Sequence, residues 1–281
     1  HGGASVPLSE STTAMSKADP QLNSNGIYGA FTQYWGEQPG TSGPVYVGAF
    51  VCMLFVLAML VVPNRSPLKW ALLLATILSV LLSWGRNFMP LTDFFIDYVP
   101  MYAKFRTVSS VLVVAEFCIP LLAVMGLAEF MRQAGNPERR VPIMKKLLLS
   151  VAVTVFICLL FALAPTLCFG DLVSSNDRSS VNGYIENGYF DSAFGQKILA
   201  SISTMRAAML SADAWRSVLI ILIGAFVVYR MWKLKERTLL VPNYMWLIVL
   251  CLFDMWQVNK RYLNDGMFET PRTAQMVQPT D

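Results

Sequence analysis

The sequence predicts an all-α fold: a polytopic helical membrane bundle of about six transmembrane helices, with interfacial helices beside them. The first observation is composition, since 55% of the residues are hydrophobic and 14% are charged, whereas soluble domains carry about 25% charged residues. The second is a series of apolar runs near the length of roughly 20 residues that crosses a bilayer. The third is that basic residues collect in alternate connections between these runs.

The chain divides into a polar segment, an apolar bundle and a polar tail. Residues 1–43 are rich in turn-forming residues and are predicted to form an extracytoplasmic segment. Residues 44–256 form the bundle, with predicted spans at 44–62, 70–84, 108–130, 147–168, 216–232 and 239–253. Residues 193–214 are mildly amphipathic and are predicted to form an interfacial helix. Residues 257–281 are predicted to be an extracytoplasmic tail that leads to a C-terminal domain beyond this sequence.

The basic residues predict the orientation of the bundle. They fall in the first, third and fifth connections and are Arg65, Lys69, Arg132, Arg139, Arg140, Lys145, Lys146, Arg230, Lys233, Lys235 and Arg237. Because cytoplasmic loops accumulate Lys and Arg, these connections are predicted to be cytoplasmic and both ends of the chain extracytoplasmic. The net charge of +4 follows from this topology, so membrane lipid is a predicted partner and nucleic acid is not.

Five charged residues lie between the second and third predicted spans: Arg86, Asp93, Asp97, Lys104 and Arg106. A charge near the hydrocarbon costs about 2.5–3.5 kcal/mol, so such residues usually line a cavity, bind phosphate or pair with each other. Arg86, Lys104 and Arg106 are candidate ligands of a substrate phosphate, because guanidinium and ammonium groups donate hydrogen bonds to phosphate oxygens. The alternative is that these cations anchor the chain among lipid headgroups.

Pro90 and Pro100 bracket a predicted short helix, since proline suits the first turn of a helix and ends a helix further along. Asp93 and Asp97 then lie one turn apart on one face of that helix. Two neighbouring carboxylates are secondary candidates for a general base or for metal ligation. The alternative is a solvated acidic face, so the need for a divalent metal stays open and no cofactor is predicted.

Glu116 stands about midway along the third predicted span, where an ionisable residue usually has a function. At helical spacing it shares a face with Ser109, Val113 and Pro120, and this polar seam is predicted to point into the bundle. One interpretation is a protonated carboxyl group that hydrogen-bonds a neighbouring helix. The other is a partner for the nearby cations or a contact to substrate.

Near the end of the chain, Asp254, Lys260 and Arg261 are further secondary candidates, either as headgroup anchors or as a second wall of the same cavity. Several site types are excluded, because the only histidine is His1, which removes Ser/His/Asp triads and HExxH zinc sites. The chain also lacks the glycine-rich phosphate loops. Any activity must therefore use carboxylates and cations, and the catalytic residue stays unassigned.

Three segments of the chain resemble the YfhO family of bacterial membrane proteins: YWGEQPGTSGPVYVGA (34–49), LSWGRNFMPLTDFFIDYVPMYAKFRTVSSVLVVAEFCIPLLA (82–123) and DMWQVNKRYLND (254–265). The resemblance implies a multi-pass protein of the bacterial inner (cytoplasmic) membrane that is similar to GT-C glycosyltransferases. Enzymes of that class transfer a sugar from a polyprenyl-phosphate donor to an acceptor outside the cytoplasm. The sugar donor and the remainder of the full-length chain are therefore the implied partners.

The resemblance also implies that this chain is the later membrane half and lacks the catalytic base, because the GT-C carboxylate usually lies in the first outer loop. It implies that Arg86, Lys104 and Arg106 suit the donor phosphate, whose developing charge needs stabilisation. Two alternatives stay open. One is a lipid or polymer transporter or flippase, in which Glu116 and the outer cations form a permeation path. The other is a non-catalytic membrane scaffold, so the sequence leaves open whether the chain belongs to an enzyme.

Overall fold

The structure, a computed structural model, describes residues 6–23, 26–36, 45–104, 108–234 and 240–262. The regular secondary structure in these ranges is helical, which confirms the predicted all-α class. The α-helices are α1 (Thr12–Met15), α2 (Pro20–Asn23), α3 (Ala49–Val61), α4 (Pro67–Ser83), α5 (Met89–Tyr98), α6 (Leu112–Ala134), α7 (Arg140–Leu163), α8 (Pro165–Phe169), α9 (Ser175–Glu186), α10 (Ser192–Lys233) and α11 (Leu240–Asn259).

Six apolar helices form the bundle. In the described ranges, α6, α7, α10 and α11 are long and apolar enough to cross a membrane, and α3 and α4 are shorter apolar helices. All six overlap the predicted spans. Large apolar side chains cover their outward sides, for example Phe117 at 68% and Leu163 at 72% exposure, as expected for a surface that faces lipid. The chain is therefore a multi-pass membrane protein.

The helix α3 lies at the centre of the bundle, where it packs against α6, α7, α10 and α11. Its residues Met53 and Ala58 are fully buried. The helix α6 approaches closely because Gly126 faces Ala58: a Cβ atom at Gly126 would lie 2.6 Å from the Cβ of Ala58. Gly224 of α10 likewise faces the ring of Phe50. Small residues allow membrane helices to make such close contacts, so these two glycines set the helix spacing.

Two lysines donate hydrogen bonds to the carbonyl groups at the C-terminal end of α3. The buried Lys69 ammonium donates to the carbonyls of Met59 and Val62 at 2.8 and 2.9 Å. The Lys146 ammonium donates to the carbonyl of Leu60 at 2.8 Å. The last carbonyls of a helix have no partner within it and carry partial negative charge, so cations are favourable there. We call this end, where Arg140 also donates to the carbonyl of Trp232, the basic end of the bundle.

A second hydrophobic cluster lies outside the bundle. Its members are Leu8, Ala14, Leu22, Tyr28, Phe31, Val181, Ile198, Ile202, Met205 and Met209. They belong to residues 6–36, to α9 and to residues 192–214 of α10, and we call this assembly the headpiece. Inside it, the hydroxyl groups of Tyr28 and Ser201 hydrogen-bond at 2.7 Å. The N-terminal segment is thus folded onto α10, which the local sequence pattern does not indicate.

The prediction for residues 193–214 requires a correction. Instead of a separate interfacial helix, this segment is the first half of α10, which continues without a break from Ser192 to Lys233. A helix of 42 residues is about 63 Å long, so its first half projects beyond the bundle and carries the headpiece. Midway along α10, Asp213 and Arg216 form ion pairs with Arg261 and Asp254, which lie at or just beyond the C-terminal part of α11. We call the end of the bundle that meets the headpiece the headpiece end.

Candidate functional site

The carboxylate of Asp254, only 1% exposed, joins α11 to the start of α3 at the headpiece end. It accepts hydrogen bonds from the Tyr46 hydroxyl at 3.0 and 2.9 Å and from the Ala49 amide at 2.9 Å. The helix α3 has no cap of its own, because Gly48, with φ of +97°, occupies its N-cap position. Asp254 therefore caps α3 from another helix, where the positive end of the helix dipole also favours a carboxylate.

Arg216 of α10 completes this cluster, which we call the Asp254 site. Its Nη2 atom lies 3.4 Å from Oδ1 of Asp254 and donates to the Tyr46 hydroxyl at 3.3 Å. The other two nitrogens, Nε and Nη1, are buried and have no hydrogen-bond partner among the described residues. Leaving a buried donor unpaired costs about 1–3 kcal/mol, and more for a charged group. Arg216 therefore has hydrogen-bond donors that no acceptor in the described residues uses.

A second ion pair lies close by. Arg261 makes a bidentate pair with Asp213, with nitrogen to oxygen distances of 2.8 and 2.6 Å. Burial lowers the pKa of Arg261, but the hydrogen bonds and charge of Asp213 outweigh it and hold that pKa above its ordinary value. The pair borders a polar cleft of about 400 Å³ between headpiece and bundle. Its other polar lining residues are Glu10, Ser11, Thr12, Thr13 and Gln33.

An apolar groove of about 400 Å³ runs along the side of the bundle, between α3, α6 and α11. Phe50 and Leu252 are among its lining residues. Phe50 follows Ala49 directly, and Leu252 precedes Asp254 by two residues. Since one helical turn takes about 3.6 residues, the end of the groove that Phe50 and Leu252 line is within one helical turn of the Asp254 site. A charged site and an apolar groove therefore adjoin each other.

The structure describes only part of the predicted phosphate ligands. Arg106 lies outside the described residues, and so does the side chain of Arg86, while Lys104 is exposed. The predicted short helix is confirmed as α5. Asp93 and Asp97 are both exposed on it, and they make no ion pair within the described part of the chain. The three cations thus remain a sequence prediction.

Glu116 lies at the edge of the buried face of α6. Ala115, Cys118 and Leu122 form that face. On the predicted polar seam, Val113 is 62% exposed, whereas Ser109 and Pro120 are half-buried. The direction in which the seam points therefore stays a prediction. Glu116 itself is half-buried.

The three candidates near the end of the chain differ in their surroundings. Asp254 and Arg261 belong to the two ion pairs above, whereas Lys260 is exposed, with its ammonium 5.3 Å from the centre of the Trp256 ring. Sequence reasoning missed Arg216 and Tyr46. Tyr46 carried no signal of its own, because it stands among the aromatic residues around the first span.

The headpiece holds its own buried ion pair. Arg206 is fully buried and donates to Asp177 at 2.6 Å, to the carbonyl of Thr32 at 2.6 Å and to that of Leu172 at 2.9 Å. Burial raises the pKa of Asp177, but the hydrogen bond and charge of Arg206 and the hydrogen bonds from Ser174 bring it below its ordinary value. The pair joins the N-terminal segment to α9 and α10.

The fold and the site define a class: a multi-pass α-helical membrane protein with a helical headpiece at one end and a charged site where headpiece and bundle meet. Comparisons with protein-family models, with curated proteins and with solved structures found no match for this chain.

Proposed function

We propose that this chain is part of a YfhO-like, GT-C-type glycosyltransferase of the bacterial inner membrane, which transfers a sugar from a polyprenyl-phosphate donor to an extracytoplasmic acceptor. In this proposal the headpiece end faces away from the cytoplasm. The positive-inside trend supports that orientation, because Lys69, Arg140 and Lys146 lie at the opposite end.

The observation that carries the proposal is the pair of buried nitrogens on Arg216 that have no hydrogen-bond partner among the described residues. A guanidinium N–H that donates to a phosphate oxygen makes a charge-assisted hydrogen bond, which is stronger than a hydrogen bond between neutral groups. The Arg216 side chain is 21% exposed, so it borders the outside of the bundle. In sugar transfer, negative charge develops on the departing phosphate, and a preorganised cation stabilises that charge.

The apolar groove supports the same proposal. A polyprenyl phosphate has a charged head and a long apolar chain, and the groove beside Phe50 and Leu252 begins within one helical turn of Asp254. A chain in the groove would place its phosphate at the level of Arg216. The polar cleft at Asp213 and Arg261, with its hydroxyl and carboxylate groups, would then lie beside the sugar.

The test is transfer of a labelled sugar from polyprenyl-phosphate donors by the intact protein in lipid nanodiscs. We expect Arg216→Gln, Arg86→Ala, Lys104→Ala and Arg106→Ala to lose transfer, since loss of one charge-stabilising donor costs roughly 100- to 1,000-fold in rate. Arg216→Lys, which keeps the charge, should retain more activity than Arg216→Gln. The matched control is Arg178→Ala, which alters an exposed arginine of the headpiece. Absence of transfer by folded wild type with every donor would favour the transporter alternative.

A further inference from the structure

An aromatic cleft of about 580 Å³ lies on the headpiece. Its walls include Phe31, Tyr184, Tyr189, Phe190 and Phe194. The rings contact one another in edge-on or tilted arrangements, with centroids 5.9 Å apart for the two tyrosines and 5.4 Å apart for Phe190 and Phe194. Such arrangements leave other ring faces open, and Tyr189 is 75% exposed.

The position of the cleft argues against the idea that its aromatic rings anchor the protein in lipid headgroups. Asp191, which lines the cleft, caps the start of α10, and Arg216 follows on the same unbroken helix. The roughly 25 residues between them span about 37 Å at 1.5 Å per residue. Aromatic residues that anchor a protein in lipid headgroups lie at the membrane surface. An open aromatic cleft this far along the helix is therefore placed to meet a ligand from the aqueous phase.

The cleft is held in a fixed shape. The helix α9 starts with a capping box formed by Ser174 and Asp177. Gly195 of α10 allows close packing against α9, because a Cβ atom there would lie 2.7 Å from Cδ1 of Ile185. The buried pair of Arg206 and Asp177 ties both helices to the N-terminal segment. A preformed concave site of a few hundred Å³ with aromatic walls and few polar groups is typical of ligand sites.

The polar groups of the cleft indicate the ligand chemistry. Among the described residues, Asp191 is the only charged side chain that lines it, so the cleft does not suit an anion. Oδ1 of Asp191 accepts the Phe194 amide, which leaves acceptor capacity on the carboxylate for a ligand. The hydroxyls of Tyr184 and Tyr189 add polar groups beside the ring faces. Rings with adjoining hydroxyl and carboxylate groups match a ligand that is apolar on one face and hydroxylated at its edge.

We propose that this cleft binds the pyranose rings of a saccharide. The polarised C–H face of a pyranose meets the negative face of an aromatic ring, while its hydroxyls donate to Asp191 and bond to the tyrosines. Under the proposed function, on which this further step rests, the bound saccharide is the acceptor glycan. The cleft would hold it away from the membrane while another part of the same glycan reaches the Asp254 site.

The test is saturation-transfer NMR of the whole chain in nanodiscs, with maltotetraose and chitotetraose as probes. We expect signals from the pyranose C–H protons and roughly tenfold weaker binding in Tyr189→Ala. Asp191→Asn should also weaken binding while preserving the helix, because asparagine is an equally good N-cap. Tyr98→Ala is the matched control, since Tyr98 is 73% exposed on α5, outside the headpiece. Binding by Tyr98→Ala should equal that of wild type.

Three outcomes would overturn the saccharide assignment: no binding of either probe by folded wild type, equal weakening in Tyr98→Ala, or efficient displacement of the probes by tetraethylammonium, which indicates a cation site. No sugar donor is present in this experiment. Saccharide binding without any transfer activity would therefore contradict the proposed function alone, and transfer activity without saccharide binding would contradict the cleft alone.

Discussion

Replacing Asp254 with alanine is expected to lower the free energy of unfolding by about 3–5 kcal/mol, the usual cost of removing one partner of a buried ion pair. The carboxylate is 1% exposed, and its loss leaves the Arg216 charge without its counter-ion. It also leaves the Ala49 amide at the start of α3 without its acceptor. The measurement is unfolding in detergent micelles by titration with SDS, followed by the change in helix content.

Two variants make this result interpretable. Asp254→Asn keeps oxygen and shape but removes the charge, so its destabilisation should fall between wild type and Asp254→Ala. Glu138→Ala removes an exposed carboxylate at the basic end and should change stability by less than about 1 kcal/mol. If Asp254→Ala were no less stable than Glu138→Ala, Asp254 would not have the structural role described here.

Replacing Arg206 with methionine is expected to unfold the headpiece selectively. The change removes hydrogen bonds to Asp177 and to the carbonyl groups of Thr32 and Leu172, and it leaves a buried carboxylate unpaired. The expected cost is again about 3–5 kcal/mol. Hydrogen exchange followed by mass spectrometry should show faster exchange in α9 and in residues 6–36, with little change in the bundle.

An exposed ion pair of the headpiece provides the control for the Arg206→Met experiment. Arg178 and Asp171 form an exposed pair, with side chains 51% and 55% exposed, so Arg178→Met should cost at most about 1 kcal/mol. The double variant Arg206→Met with Asp177→Asn should regain part of the lost stability, because no charge is left buried alone. Equal exchange in Arg206→Met and Arg178→Met would show that the buried pair does not hold the headpiece together.

The membrane spans were predictable because their signal is local: a run of apolar residues of sufficient length is visible without knowledge of its neighbours. The short helix α5 was predictable for the same reason, since Pro90 and Pro100 mark its limits. The continuity of α10 was not. The sequence separates a mildly amphipathic stretch, 193–214, from an apolar one, 216–232, and the ion pairs of Asp213 and Arg216 with Arg261 and Asp254 at their junction join residues remote in sequence.

The candidate site was predictable only in part. Asp254 and Arg261 were identified as charged residues near a span, but their partners are remote in sequence. Tyr46 and Asp254 are 208 residues apart, so no periodicity in the chain connects them. The close packing of α6 on α3 was not predictable either, because it depends on Gly126 of α6 facing Ala58 of another helix.

The central claim is that Arg216 supplies the phosphate site of a lipid-linked substrate, and competitive lipid retention in native mass spectrometry tests it most directly. The intact protein would be offered a polyprenyl phosphate together with the polyprenol of the same length. We expect wild type to retain the phosphate form at least tenfold better and Arg216→Gln to lose most of that preference, with Arg178→Gln unchanged. Equal retention of the two lipids by wild type, or an undiminished preference in Arg216→Gln, would contradict the claim.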